Sequence, residues 1–325
     1  MSDRDGVEVR RGHPLPPGGT IGVPAPAAPW FNRSELLRGV EWWQAQGCRV
    51  KLGAGIDARR MYTAGDARTR ADDITALFAD DDVDVVHCFQ GGYGSAQTIP
   101  LIDWDVVRAN PKPFVGYSDI TALHVAMRHF AGLVTFHGPT LGDIAHAGVK
   151  TFNQERLLTA LRATTPLGAV PSDPDDGYVR PLGPGRASGE LVGGCLWLLG
   201  QTIGTPWQPD LGGRLLFFED VDCPPWYMDG LLNQMTQAGM LRGVAGVVVG
   251  ELVRCDWSRE RPEMPQTLSI EDVLEQYLIP LGVPVLYGLP MGHGGHLTTT
   301  PLGVRATLDA DARTLTIDEA ALLPP

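Results

Sequence analysis

The first half of the chain alternates short apolar runs with segments in which apolar residues recur at helical spacing. The apolar runs, each expected to form a buried strand, are residues 20–26, 49–52, 83–89, 113–117 and 133–136. Residues 34–46 and 66–80 carry the intervening helical pattern. Strands and helices that alternate with short connections are typical of a parallel sheet covered by helices on both faces. The sequence therefore predicts an α/β fold for this half.

The second half differs in texture and predicts a separate domain. Residues 165–188 are rich in proline, glycine and aspartate and have little periodicity, which indicates an interdomain linker. Short strand-like runs then alternate with helix-like segments at 196–204, 228–238 and 270–278. A chain of 325 residues is also too long for one ordinary hydrophobic core. We therefore expect an N-terminal domain over 1–164 and a smaller mixed α/β domain over 189–325.

Charge and composition argue against several classes of partner. The formal net charge is −12 and basic residues do not cluster, which disfavours nucleic acid and anionic membranes as partners. The charged N-terminus lacks the apolar segment of a secretory signal. The most apolar run, 244–249, is far shorter than the roughly 20 residues that span a bilayer. The five cysteines are scattered without a C-x-x-C pair, so we expect a cytoplasmic protein.

Ser118 stands where the apolar run 113–117 gives way to a helix-like run over 119–127. A serine on a tight strand-to-helix turn presents its hydroxyl outward, and N–H groups at the helix start can gather around an oxyanion beside it. Residues 116–120 contain the first glycine of the G-x-S-x-G nucleophile motif but not the second. Ser118 is therefore either a nucleophile or the N-cap of the next helix.

A glycine-rich segment, Gly91-Gly92-Tyr93-Gly94, follows another predicted strand. It matches neither G-x-G-x-x-G, because Gln97 replaces the third glycine, nor a Walker A loop. Its two readings are a tight turn without a ligand and an oxyanion hole formed by the N–H groups of Gly92 and Asp119. Ligand crevices lie beyond the carboxyl ends of parallel strands, which is where this segment and Ser118 are predicted.

Two further segments carry ionisable side chains. Glu219 and Asp220 follow the apolar run 215–218, where a carboxylate either reaches water or orients an imidazolium in a cleft. His293 is flanked by glycines and is therefore not expected in a packed core. His293 and His296 do not predict a metal site, because no third ligand stands at a recognisable spacing and a loop lacks helical i, i+4 register.

Taken together, these segments resemble the LD-carboxypeptidase family, the S66 serine peptidases, which includes the microcin C immunity peptidases. The resemblance extends from residue 20 to about 317, and its marks are the segments 91–95, 114–123, 136–139, 193–196, 216–220 and 292–293. It implies a Rossmann-like N-terminal domain that carries Ser118. It also implies a C-terminal domain that supplies Glu219 and His293 to a Ser-Glu-His triad.

The resemblance also implies a role for each residue. Ser118 would be the nucleophile, His293 the base that takes and returns its proton, and Glu219 the group that fixes the imidazole. The N–H groups of Gly92 and Asp119 would stabilise the oxyanion. Neither a metal nor another cofactor is required, and because members of the family are commonly dimers, we expect a homodimer.

The substrate is less constrained. Gln90 stands where cell-wall-recycling members tend to have an arginine, a group suited to a substrate carboxylate. Trp207 and Trp226 either stack on a nucleobase or pack within the protein, and Tyr93 and His137 are further candidate substrate contacts. We expect a serine carboxypeptidase that acts on murein-type peptides. The alternatives are an immunity peptidase that cleaves peptidyl-nucleotide or acyl-aminoacyl-adenylate toxins, and a binding protein without activity.

Overall fold

A computed structural model describes residues 8–144, 146, 148–173, 175, 178–256 and 268–324. These residues form two compact units. The first unit comprises the described residues within Met1–Pro166, Leu297–Val304 and Glu319–Pro325. The second comprises those within Leu167–His296 and Arg305–Asp318. Within the part of the chain so described, no helix combines the length and apolar character that a membrane crossing requires.

The first unit is built on a six-stranded sheet, with strands numbered along the chain. Its strands are β1 (Thr20–Val23), β2 (Arg49–Leu52), β3 (Val85–His87), β4 (Phe114–Gly116), β5 (Thr135–His137) and β12 (Thr300–Leu302). The spatial order is β12-β5-β4-β3-β1-β2; β12 runs antiparallel to β5 and all other neighbours are parallel. This is the parallel sheet that the alternating pattern predicts.

Helices of the first unit connect successive strands. They are α1 (Arg33–Ala45), α2 (Ala67–Ala79), α3 (Trp104–Ala109), α4 (Thr121–Ala131), α5 (Leu141–Ile144) and α6 (Thr151–Arg162), with 3₁₀ turns at Ser95–Leu101 and Ser118–Ile120. Side chains satisfy free N–H groups at the start of α1 and α2, the two longest helices of this unit. Asn32 accepts a hydrogen bond from the N–H of Ser34 at the start of α1, and Asp66 accepts one from Thr69 at the start of α2.

The second unit contains an eight-stranded mixed sheet. Its strands are β6 (Gly168–Ala169), β7 (Arg180–Gly183), β8 (Arg186–Cys195), β9 (Leu215–Val221), β10 (Gly246–Val253), β11 (Val285–Tyr287), β13 (Arg305–Asp309) and β14 (Thr314–Ile317), in the order β6-β14-β13-β8-β9-β10-β11-β7. The central strands β8 to β11 are parallel and the outer ones antiparallel. Its helices are α7 (Leu196–Gln201), α8 (Pro225–Gln237) and α9 (Ile270–Leu278), with a 3₁₀ turn at Ile279–Leu281.

The structure differs from the predicted organisation in two places. The predicted linker, 165–188, contains β6, β7 and the start of β8. β6 and β7 are the edge strands of their sheet, where proline such as Pro181 is tolerated, so the composition concealed them. β12 falls in the range predicted for the C-terminal domain, 189–325, but it belongs to the sheet of the first unit, where it pairs with β5. Because this pairing joins segments that are far apart in the chain, no local pattern in the sequence predicts it.

Two buried histidines lie within the first unit. The indole N–H of Trp43 donates to Nδ1 of His87 (3.1 Å), so Nε2 carries the proton and donates to the carbonyl of Pro139 (2.8 Å). Nε2 of His124 lies 2.8 Å from the carbonyl oxygen of Gly116. Burial lowers the pKa of each of the two imidazoles to about 4. Both rings are therefore neutral in the folded protein near neutral pH.

These lowered pKa values predict acid sensitivity. Between about pH 6.5 and 4 the unfolded chain binds protons on His87 and His124 that the folded protein does not bind. The free energy of unfolding should therefore fall as the pH drops through this range, by up to about 3 kcal/mol per histidine. Urea unfolding at several pH values measures the effect. His124→Gln should weaken the dependence and exposed His13→Gln should not; an unchanged slope in His124→Gln would contradict the assignment.

Candidate active site

The turn that follows β4 holds Ser118 in a strained backbone conformation. Its φ is +62°, in the left-handed region, which costs a non-glycine residue roughly 1–3 kcal/mol. Gly116 precedes the turn, and a Cβ there would lie 2.8 Å from the side chain of Ile120. The first glycine of the nucleophile motif is thus required by packing. The second is replaced by Ile120, which is buried under the turn.

The glycine segment 91–94 lies against this turn. A Cβ on Gly91 would be 3.0 Å from Cβ and 3.2 Å from Oγ of Ser118. Gly92 has φ +111°, and a Cβ there would be 2.6 Å from Cβ of Ala28. Only glycine fits at position 92 without displacing a neighbour. The structure therefore brings together Ser118 and the loop whose N–H groups were predicted to serve an oxyanion.

In the second unit, Glu219 and His293 form a hydrogen-bonded pair. Glu219 lies near the end of β9 and is fully buried, and His293 lies in the loop that follows β11. Nδ1 of His293 is 2.6 Å from Oε2 of Glu219. Because the carboxylate only accepts, Nδ1 carries the proton, and in the neutral ring the lone pair is on Nε2. That tautomer is the one a general base requires.

Glycines allow the His293 loop to approach β9 and β10. A Cβ on Gly292 would be 2.9 Å from Oε2 of Glu219, and one on Gly250 would be 2.1 Å from the carbonyl oxygen of Met291. A side chain at either position would push the loop away from the strands. Glycine at position 292 thus permits the short contact between Glu219 and His293.

Asp220, the other acid of the predicted pair, has a different environment. Successive residues of a strand point to opposite faces. Its Oδ2 accepts the main-chain N–H of Trp197 at 3.0 Å, and its Oδ1 accepts that of Val221 at 2.8 Å. Burial raises the pKa of Asp220 to about 6. Of the two acids, Glu219 accepts the hydrogen bond from the His293 imidazole, and Asp220 accepts one from the main chain at the start of α7.

His293 and His296 bind different partners. Nδ1 of His296 is 2.9 Å from Oδ1 of Asp173, and its Nε2 is 3.9 Å from Oδ2 of Asp175. Within the described ranges, these three side chains form the group whose donor atoms all lie within 4.8 Å, close enough to hold a cation. His296 and Asp173 are thus within hydrogen-bonding distance of each other. Sequence reasoning missed the group because its aspartates lie in the stretch predicted as a linker.

The two candidate substrate contacts of the first unit have contrasting positions. His137 is fully buried, and its ring centroid lies 5.8 Å from that of Tyr117. Tyr93 is 48% exposed, and its ring meets that of Tyr62, also exposed, at 5.3 Å. Tyr93 can therefore meet a ligand directly. A role for His137 would have to act through the residues it contacts.

The two candidate tryptophans of the second unit both retain accessible surface. Trp207 is half-buried in the turns after α7. Trp226, at the start of α8, is 44% exposed and packs edge-on against Tyr227. It lines a cavity of about 530 Å³ beside α7 and α8 together with Trp197 and Tyr227. Contact of either tryptophan with substrate remains a prediction.

Comparison with known proteins identifies the family. The LD-carboxypeptidase N-terminal domain matches residues 21–138 and the LD-carboxypeptidase C-terminal domain matches residues 188–308. The chain therefore belongs to the LD-carboxypeptidase family, the S66 peptidases. The resemblance drawn from the motifs is confirmed, and so is the class of enzyme, a carboxypeptidase.

Relatives agree with this assignment over nearly the whole chain. A probable murein peptide carboxypeptidase of Bacillus subtilis is 38% identical over 93% of this chain and 92% of its own length. The microcin C7 self-immunity protein MccF of Escherichia coli is 29% identical, over 95% of this chain and 96% of its own.

Solved structures of MccF share the fold. An active-site mutant in the apo state has a TM-score of 0.88 and 26% identity, covering 96% of this chain and 99% of its own. Another structure of MccF contains aspartyl sulfamoyl adenosine, with a TM-score of 0.84 at the same identity and coverage. The predicted fold class, a parallel-sheet N-terminal domain followed by a second α/β domain, is confirmed.

The packing of Gly292 gives a test of the Glu219–His293 contact. Gly292→Ala should lower the free energy of unfolding by about 1–3 kcal/mol, because the added methyl displaces the Glu219 carboxylate. Gly230→Ala is the matched control: this exposed position in α8 has nothing within 4 Å of an added Cβ, so alanine should stabilise by up to about 1 kcal/mol. Chemical unfolding of both variants decides; a neutral Gly292→Ala would contradict the close approach.

Proposed function

We propose that the chain is a serine carboxypeptidase that hydrolyses an amide bond near a C-terminal carboxylate. Murein-type peptides with a terminal D-alanine are the proposed substrate. Ser118 is the nucleophile, His293 the general base and Glu219 the group that orients it. The single observation that carries the proposal is the 2.6 Å bond between Glu219 and His293, which selects the tautomer a base needs. The strained turn at Ser118 beside the glycine segment supports it.

The reaction follows from these groups. Oγ of Ser118 attacks the scissile carbonyl carbon while Nε2 of His293 accepts the hydroxyl proton. The N–H groups of Gly92 and Asp119 donate to the oxyanion of the tetrahedral intermediate, a donor of this kind being worth roughly 3 kcal/mol. The C–N bond then breaks, and His293 returns the proton to the leaving amine. Water repeats the sequence on the acyl-enzyme, with Glu219 stabilising the imidazolium in both halves.

Two features bear on the substrate. The Bacillus subtilis relative, 38% identical, is named a probable murein peptide carboxypeptidase, which favours a murein-type peptide. Gln90, in place of the arginine of cell-wall-recycling members, donates to the carbonyl of Pro29 at 2.6 Å, so it braces a loop and offers no positive charge to a carboxylate. A peptidyl-nucleotide toxin is the second candidate, favoured by the exposed ring of Trp226 and by the nucleoside ligand bound to MccF.

Variants of the proposed triad test the mechanism. Ser118→Ala and His293→Ala should each lower kcat by about 10⁴-fold or more, and Glu219→Gln by about 10²–10⁴-fold, because the nucleophile, its base and the tautomer of that base are lost in turn. A fluorophosphonate should label Ser118 in the wild type. His13→Gln, at an exposed position, is the control and should leave kcat unchanged. Full activity in Ser118→Ala would overturn the proposal.

The choice between substrates needs a paired assay. Purified protein is incubated with an L,D-tetrapeptide of murein type and, separately, with a peptidyl adenylate analogue. We expect release of D-alanine from the tetrapeptide, since the Bacillus subtilis relative is named a probable murein peptide carboxypeptidase. Turnover of the adenylate analogue alone would replace this proposal by the immunity function, and turnover of the tetrapeptide alone would reject that function.

A further inference from the structure

We infer that the side chain of Asp119, together with Ser95 and Arg70, is a positioning device that locks the glycine segment 91–94 onto the Ser118 turn. The inference rests on the proposed function, because it concerns the two N–H groups assigned to the oxyanion hole. It assigns to the Asp119 carboxylate a role separate from that of its own main-chain N–H.

Asp119 and Ser95 form a reciprocal pair of hydrogen bonds. Oδ2 of Asp119 accepts the main-chain N–H of Ser95 at 2.8 Å, and the Ser95 hydroxyl donates to the main-chain carbonyl of Asp119 at 2.5 Å. Both side chains are almost fully buried. The residue directly after Ser118 is thus tied twice to the residue directly after Gly94.

Arg70 extends this connection to a third segment. It projects from α2 and is 2% exposed. One terminal nitrogen donates to the carbonyls of Pro26 (2.8 Å) and Gly94 (2.6 Å), and the other donates to Oε1 of Gln97 (2.7 Å). Pro26 lies after β1 and Gly94 after β3, so one planar guanidinium joins the loops after two neighbouring strands.

Arg70 and Asp119 carry opposite charges, and each favours the ionised form of the other. Burial raises the pKa of the Asp119 carboxyl, while main-chain N–H groups of Ser95 and Gly94 and the charge of Arg70 favour its ionised form. Burial likewise lowers the pKa of Arg70, and the charge of Asp119 opposes that change. Each buried charge therefore favours the ionised form of the other, while the hydrogen bonds of Asp119 to Ser95 and of Arg70 to Gly94 fix their positions.

The arrangement controls both proposed oxyanion donors at once. One donor is the N–H of Asp119 itself, and the other is the N–H of Gly92, two residues before Gly94. A left-handed serine persists only where its surroundings over-determine it, and Asp119 is its neighbour in the chain. N–H donors that stabilise a transition state must keep their geometry closely. Loss of the contacts made by Asp119, Ser95 and Arg70 should therefore reduce kcat more than it weakens substrate binding.

Asp119→Asn is the main test, since it keeps the size of the side chain and removes its charge. We expect kcat for the murein-type peptide to fall about 10- to 10³-fold with KM changed less than threefold, and labelling of Ser118 by a fluorophosphonate to slow in proportion. Ser95→Ala removes one bond of the pair and should give a smaller loss, about 10-fold. Arg70→Lys keeps the charge but cannot bridge the same acceptors, so it should resemble Asp119→Asn.

Asp73→Asn is the matched control. Asp73 is another buried aspartate of the first unit, and its carboxylate accepts the N–H of Gly55 at 2.9 Å, in the loop after β2. The Asp73→Asn variant should be less stable than the wild type, without a specific loss of kcat or of the labelling rate of Ser118. The inference is overturned if Asp119→Asn and Ser95→Ala match Asp73→Asn in kcat at equal folded fraction, or if only KM rises. If Ser118→Ala also remained active, the proposed function itself would fail; loss of activity in Ser118→Ala alone confines the failure to this inference.

Discussion

Parallel strand pairing is the constraint on which the candidate site depends. In the first unit β1, β3 and β4 run in the same direction, so the segments that follow them emerge at one edge of the sheet. Those segments carry Pro26, the loop 91–94 and Ser118. In the second unit β9 and β11 are each parallel to β10, so Glu219 near the end of β9 and the His293 loop after β11 lie at one edge of that sheet. Within each unit, strand direction therefore places these segments at the same edge of the sheet.

Close approach of backbones is the second requirement, and glycine meets it. Gly92 stands where any Cβ would collide with Ala28, and Gly292 stands where a Cβ would collide with Glu219. Each of these glycines brings a main-chain segment within contact of the group it serves. At these two positions glycine is required by close packing. At Gly230 in α8, by contrast, an added Cβ would have no atom within 4 Å.

Buried charge gives the site its fixed geometry. Arg70 donates to the carbonyls of Pro26 and Gly94, Glu219 accepts from His293, and Asp220 accepts main-chain N–H groups. Charge removed from water is costly unless it is paired and hydrogen-bonded, so a displaced partner leaves a large penalty. Within each unit, these contacts therefore favour a single arrangement of the loops. Catalytic groups need such a fixed arrangement before the reaction begins.

The sequence by itself determined the α/β class, the position of Ser118 at a strand end, and the family, because strand and helix periodicities and short motifs are local properties. It did not reveal edge strands β6 and β7, since proline and glycine hide their alternation, nor the return of β12 to β5. The strand pattern alone left Glu219 and Asp220 equivalent, and it was the family resemblance that implied Glu219. Only the tertiary structure showed that Glu219 contacts His293 and that Arg70 joins the loops after β1 and β3, because those contacts depend on pairings between residues far apart in the chain.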